Sequence, residues 1–111
     1  MKITRIAEAK AYDAPGHVGV KAVRLQGLDA SPARLCVVGL SHYEPGAIAK
    51  MSASAEEKIY VVLDGEVTVE LAKGGRSILS RHDSCLIEPG EMREVRNESG
   101  KIASLLVLMP A

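Results

Sequence analysis

The sequence predicts an all-β domain, a small barrel or sandwich, and three observations carry that prediction. Turn signals recur at short intervals: Pro15-Gly16, Ser31-Pro32, Pro45-Gly46, Asp64-Gly65, Gly74-Gly75, Pro89-Gly90 and Ser99-Gly100. Between them lie short runs rich in Val, Ile and Leu. No segment requires a helix. Regular short strands punctuated by Gly and Pro are the pattern of sandwiches and barrels.

Residues 3–12 read two ways. Their Ala and Glu content permits a helical turn, while Ile3 and Ile6 suit an edge strand. His17, after Pro15-Gly16, begins a strand. An apolar strand runs up to His42, just before Tyr43-Glu44-Pro45-Gly46. Residues 58–71 read as a hairpin, because Asp64-Gly65 supplies the positive φ angles of a tight type I′ turn. Lys73-Gly74-Gly75 turns the next hairpin, and residues 102–109 form an apolar C-terminal strand. Alternation puts Lys58, Tyr60 and Val62 on one face of their strand and Ile59, Val61 and Leu63 on the other.

The chain has 111 residues, the size of one domain with one sizeable core, so residues 1–111 are read as a single unit. Hydrophobic residues make up 47% and charged residues 25%, an ordinary globular composition. There is no Trp and no Phe, and the only aromatics are Tyr12, Tyr43 and Tyr60, so the core must be mainly aliphatic. Fourteen basic residues balance fourteen acidic ones, without the basic stripe of a nucleic-acid binder. The N-terminal charges are not followed by an apolar signal region, and the apolar run at residues 104–109 is too short to span a bilayer. A cytoplasmic protein without membrane or nucleic-acid partners is expected. Cys36 and Cys85 lie inside apolar runs without a CxxC spacing, and are read as reduced buried thiols.

Two stretches resemble the motifs of the cupin superfamily, G-x5-H-x-H-x3–4-E-x6-G and G-x5-P-x-G-x2-H-x3-N. Laid on Gly46, the first ends on Gly65 and puts Ser52 and Ser54 at the histidine positions and Lys58 at the glutamate. Laid on Gly90 and Asn97, the second puts Arg93 at its histidine, His82 at its leading glycine, and its proline one place late at Pro89. The resemblance implies a small jelly-roll (cupin) β-barrel, in which typical members bind one divalent metal through three histidines and a glutamate. It also implies pairing of two barrels into a homodimer, with Ile59, Val61 and Leu63 and the C-terminal strand as candidate contacts.

The turn-forming positions are kept and all four ligand positions are lost. Serine is a poor metal ligand, and lysine and arginine are cations at neutral pH. Neither a metal nor another cofactor is therefore expected. The same substitutions turn a cation site into an anion site. Arginine binds a carboxylate through two parallel hydrogen bonds, and Ser52 and Ser54 add donors. Lys58 beside another cation is a candidate base, with Arg93 and Tyr60 as its catalytic partners. His42 is a further candidate acid or base lining the pocket, with a structural or surface histidine as its plainer reading.

Each candidate has a plainer reading. Glu56 and Glu57 offer Lys58 ion-pair partners, Arg93 sits in the mixed-charge run of Glu91, Glu94, Arg96 and Glu98, and the two serines belong to a small-residue loop. Three functions follow: a metal-independent barrel that binds a small anionic metabolite and catalyses proton transfer, isomerisation, cyclisation or elimination; a non-catalytic binding or sensor module; and a metal-dependent oxygenase or isomerase with a displaced site.

Overall fold

The structure is a computed structural model and describes all 111 residues. A 3-10 turn, Ile6–Glu8, precedes nine strands: β1 Lys10–Tyr12, β2 His17–Gln26, β3 Cys36–Ser52, β4 Lys58–Asp64, β5 Glu66–Leu71, β6 Arg76–Ser80, β7 Ser84–Ile87, β8 Arg93–Arg96 and β9 Ala103–Pro110. The ambiguous N-terminal segment thus holds both a helical turn and an edge strand. The strands follow the order β6-β5-β8-β3-β9-β4-β7, with β2 also on β3 and β1 on β2. All the pairings are antiparallel.

Strand β3 joins the two halves of this nearly closed barrel. Its first half pairs with β9, from Cys36 opposite Pro110 to Tyr43 opposite Ala103. Its second half leaves β9 and pairs with β8. The change follows Pro45-Gly46, where Gly46 has φ +83°. A positive φ bends a long strand at little cost only when the residue lacks a Cβ.

The expected β4–β5 hairpin does not form. Both strands exist where the sequence placed them, but β4 pairs with β7 and β9 while β5 pairs with β6 and β8. Only Gly65 lies between them. One residue cannot close a two-residue hairpin turn, so it makes a corner that carries the chain from one side of the barrel to the other. Gly65 has φ +74°, and a Cβ there would lie 2.8 Å from the Ile102 carbonyl oxygen. The Gly74-Gly75 turn does close a hairpin, β5 with β6.

The core joins both sides of the barrel, with Val62, Val67, Val95, Ala103 and Leu105 almost wholly buried. At its closed end lies Asn97, fully buried. Its Nδ2 donates to the carbonyls of Tyr43 (2.8 Å) and Lys101 (2.7 Å), and its Oδ1 accepts from the Ser99 backbone N–H (3.0 Å) and hydroxyl (2.7 Å). The Asn97 carbonyl also accepts from Gly46 N–H, which ties the β3 bend to the end of β8. The side chain replaces a missing sheet ladder where two strands diverge.

Asn97→Ala takes the acceptor from Ser99 N–H and a donor from the Tyr43 and Lys101 carbonyls, of which Lys101 keeps the Ser99 hydroxyl at 3.1 Å. A loss of roughly 3 kcal/mol in unfolding free energy is expected by denaturant titration, and a loss below about 1 kcal/mol would contradict this role.

Candidate functional site

The barrel encloses an open-ended cavity of about 350 Å3. Tyr43, Ser41, Val95 and Val107 lie within it, and Asp13, His17, Lys50 and Ser54 bring polar groups to it. Every aromatic residue of the chain, Tyr12, Tyr43 and Tyr60, lines this one space. Its charged lining is uneven, with Arg24, Lys50, Lys58 and Arg93 against the single carboxylate of Asp13.

Arg93 dominates the site. It opens β8 opposite Ser52, and the residue is only 7% exposed. The mixed-charge run around it is sorted by strand alternation. Arg93, Val95 and Asn97 turn inward, while Glu94, Arg96 and Glu98 turn outward. There Arg96 pairs with Glu94, with Glu70 at 3.0 Å and with Glu98 at 3.8 Å. The local composition suggested a solvated face, and half of it is one. The other half is buried.

The guanidinium of Arg93 is held by oxygen atoms that carry no charge. Nε and Nη2 donate to Tyr60 Oη at 3.1 and 2.8 Å, and Nη1 donates to the Ser52 carbonyl at 2.7 Å and hydroxyl at 3.2 Å. No carboxylate neutralises it, because all five ion pairs of the chain are made by other residues. Burying a cation without a counter-charge is costly even when hydrogen bonds are made. Much of the expected two-pronged fork is already occupied by Tyr60 and Ser52. Arg93 therefore offers mainly its charge and its remaining Nη2 proton.

Tyr60 stands beside Val107 of β9 and Cys85 of β7. Its oxygen accepts twice from Arg93, so its own proton is free to donate into the cavity. Burial raises its pKa, partly offset by Arg93, and the phenol stays protonated. Burial likewise lifts Tyr43 well above the usual phenol range. Lys58, two residues before Tyr60 on the same face, is half-buried and lines the same cavity. Neither Glu56 nor Glu57 pairs with it. Burial first, and then the charge of Arg93, hold its pKa below the ordinary 10.5.

The structure thus brings Lys58, Tyr60, Arg93 and Ser52 together around one space. Ser54 lies at its border, where its hydroxyl accepts from Glu56 N–H at 3.2 Å. His42 is the exception. Alternation along β3 points Ser41 and Tyr43 into the cavity and His42 to the opposite face, where Nδ1 lies 3.0 Å from Ser104 Oγ. The sequence reading of His42 as a pocket residue is corrected accordingly. The same rule, applied from Tyr43, would have removed it. Reasoning from sequence missed Arg24 and Tyr12, which enter from the N-terminal strands outside both motifs.

The four motif positions do not fit a divalent metal. Arg93 fills the space beside Ser52 with its own guanidinium, Lys58 adds a second cation, and no group of three His, Cys, Asp or Glu side chains converges anywhere in the chain. Cys36 and Cys85 are free thiols, and burial, with Glu91 nearby, raises the pKa of Cys85.

Residues 39–109 match the family of the Cupin domain. The chain belongs to the cupin family. A 42% identical relative is the Beta-D-galactosidase Rv1717 of Mycobacterium tuberculosis, matched over 96% of this cupin and 91% of the relative. Among solved structures, the polyketide cyclase RemF of Streptomyces resistomycificus superposes with a TM-score of 0.87 at 20% identity, covering 99% of this chain and 79% of that one. A predicted oxalate decarboxylase of Thermotoga maritima gives 0.82 at 20% identity, covering 99% and 98%. At such identities the two structures speak for the barrel and not for its chemistry. No helix of this cupin is long and apolar enough to cross a membrane.

The lowered pKa of Lys58 has a consequence for stability. Between the folded pKa and 10.5 the unfolded chain holds a proton that the folded chain has lost, so Lys58 favours folding more as pH rises through that window. Below it the full penalty applies. Lys58→Met is expected to raise the Tm by a few degrees at about pH 6, with the gain shrinking towards about pH 10, read by thermal melts. A gain that does not depend on pH would contradict the assignment.

Proposed function

We propose that this cupin is a metal-independent barrel that binds a small anionic metabolite of sugar-acid type and moves a proton within it. The observation that carries the reading is Arg93, buried, hydrogen-bonded and without a counter-charge, next to half-buried Lys58. An anion in the cavity supplies the charge that the chain lacks. The phenols of Tyr43 and Tyr60 and the Ser52 hydroxyl suit a hydroxyl-rich partner. The galactosidase name of the 42% identical relative supports sugar chemistry.

Arg93 and Lys58 divide the work. Arg93 is a permanent cation that holds the ligand's carboxylate side. Lys58 titrates, and its neutral amine is a base placed on the same face as the Tyr60 phenol. For a C–H next to a carbonyl, the amine takes the proton, and the electron pair moves to the carbonyl oxygen. The Tyr60 O–H and the Arg93 charge stabilise that oxygen. With a hydroxyl on the reacting carbon the intermediate is an enediol, and passing the hydroxyl proton to the first oxygen while the Lys58 ammonium returns its proton to the former carbonyl carbon gives isomerisation. Departure of a β-hydroxyl as water, protonated by the same ammonium, gives elimination.

A second reading, hydrolysis of β-D-galactosides, is favoured by the same relative. Against it stands the cavity lining. Glycoside hydrolysis ordinarily uses two carboxyl groups, and Asp13 is the only one there. The outer face of β4 and its neighbours supports a homodimer: Ile59, 41% exposed, is flanked by Leu86, 52% exposed, and by Leu108. A single-chain mass by light scattering would contradict that assembly.

Calorimetric titration with D-galactonate, on protein whose metal content is measured, tests the main reading. Binding is expected without a stoichiometric metal, weakened by about 10- to 100-fold in Arg93→Gln and in Lys58→Met. Absence of binding, or a retained metal required for it, would overturn the reading. Binding without turnover would leave a non-catalytic binding module. Release of nitrophenol from a nitrophenyl β-D-galactoside, lost in Asp13→Asn and kept in Lys58→Met, would favour the second reading instead.

A further inference from the structure

We propose that the cavity has a second anion-binding end, built by Arg24 and Tyr12, and that the ligand is a dianion with an acidic group at each end. The inference rests on the anion reading of the Arg93 end and extends it to the substrate class.

The register of the sheet places the two ends. Arg24 of β2 stands beside Gly39 of β3, Gly39 beside Val107 of β9, and Val107 beside Tyr60 of β4. These residues form one row across four neighbouring strands, and all four line the cavity. Three strand steps separate the backbones of Arg24 and Tyr60 by about 14 Å along the sheet. The side chains reach into the cavity from both ends of the row, and Tyr60 carries Arg93 with it.

Gly39 leaves room for Tyr12 over the middle of the row. A Cβ there would stand 2.7 Å from the Tyr12 hydroxyl oxygen, so that hydroxyl lies over the glycine. The Tyr12 ring in turn holds Arg24, whose guanidinium carbon is 3.9 Å from the ring centroid. Stacking fixes the cation without neutralising it. Arg24 Nε is buried and has no hydrogen-bond partner, and none of the five ion pairs includes Arg24. Arg24 also borders a smaller depression with Glu8 and Asp29, and neither carboxylate reaches ion-pair distance. The unpaired charge, not the enclosed Nε, is what an anion in the cavity would meet, through the terminal guanidinium nitrogens. At each end a tyrosine holds a guanidinium, by hydrogen bonds at Arg93 and by stacking at Arg24, and neither cation is ion-paired, Asp13 being the one carboxylate in the lining. A cavity of about 350 Å3 with an oxyanion at each end suits a monosaccharide-sized dicarboxylate.

D-galactonate and D-galactarate differ by one carboxylate on the same carbon chain, and calorimetric titration with both tests the proposal. Galactarate is expected to bind the wild-type protein about 10-fold tighter or more. Arg24→Gln is expected to weaken galactarate about 10-fold more than galactonate, bringing the two affinities together, and Arg24→Lys to retain part of the difference. Equal affinities in the wild-type protein, or an Arg24→Gln variant that weakens both ligands alike, would overturn it, the latter marking Arg24 as packing for Tyr12. If galactonate binds through Arg93 and galactarate no better, the second end alone fails. If neither binds, the anion reading of the whole cavity fails with it.

Discussion

A buried guanidinium without a counter-charge is the constraint around which this barrel is arranged. Arg93 is placed by the first residue of β8 and held by the Tyr60 phenol and by the carbonyl and hydroxyl of Ser52. Those hydrogen bonds fix its direction but leave its charge unbalanced, and the charge spreads its effect to the neighbours. It helps depress the pKa of Lys58 and partly offsets the rise that burial imposes on Tyr60. A fold only marginally stable overall keeps such a cost when the site gains from it.

The scaffold that carries this cation is set by a few turn and tie residues. Gly46 bends β3, Gly65 turns the corner between the two sides of the barrel, and Asn97 ties the bend to the end of β8. These positions determine where residues 52, 58 and 93 fall, whatever side chains they bear. Keeping the turns while changing those side chains therefore keeps the barrel and changes its lining. The same barrel tolerates very different interiors, so a structural likeness at 20% identity identifies the walls and not their contents.

Much of this was legible in the sequence. The turn residues located the strands, and the two motifs put Ser52, Lys58 and Arg93 in a common space, which local composition alone would have denied to Arg93. Pairing was less legible. Asp64-Gly65 carries a hairpin signal, yet the strands it joins go to opposite sides, because β9 and β8 offer other partners and one residue cannot close the turn. Residue type put His42 among the pocket candidates, and alternation from Tyr43 leaves it its plainer role on the opposite face. Arg24 and Tyr12 were invisible for a different reason. Their approach to the cavity depends on a long-range register, Arg24 opposite Gly39, and on the missing side chain of that glycine.

If the cavity is an anion site, its charge stays unbalanced until a ligand enters, and Lys58 must register the change. Titration of the Lys58 side-chain resonance by NMR, with and without saturating D-galactonate, tests this most directly. The expected result is a pKa below 10.5 in the free protein and a clear rise when the anion is bound, because the ligand's charge offsets both burial and Arg93. A Lys58 that titrates like an exposed lysine, or one whose pKa is unmoved by the bound anion, would contradict it.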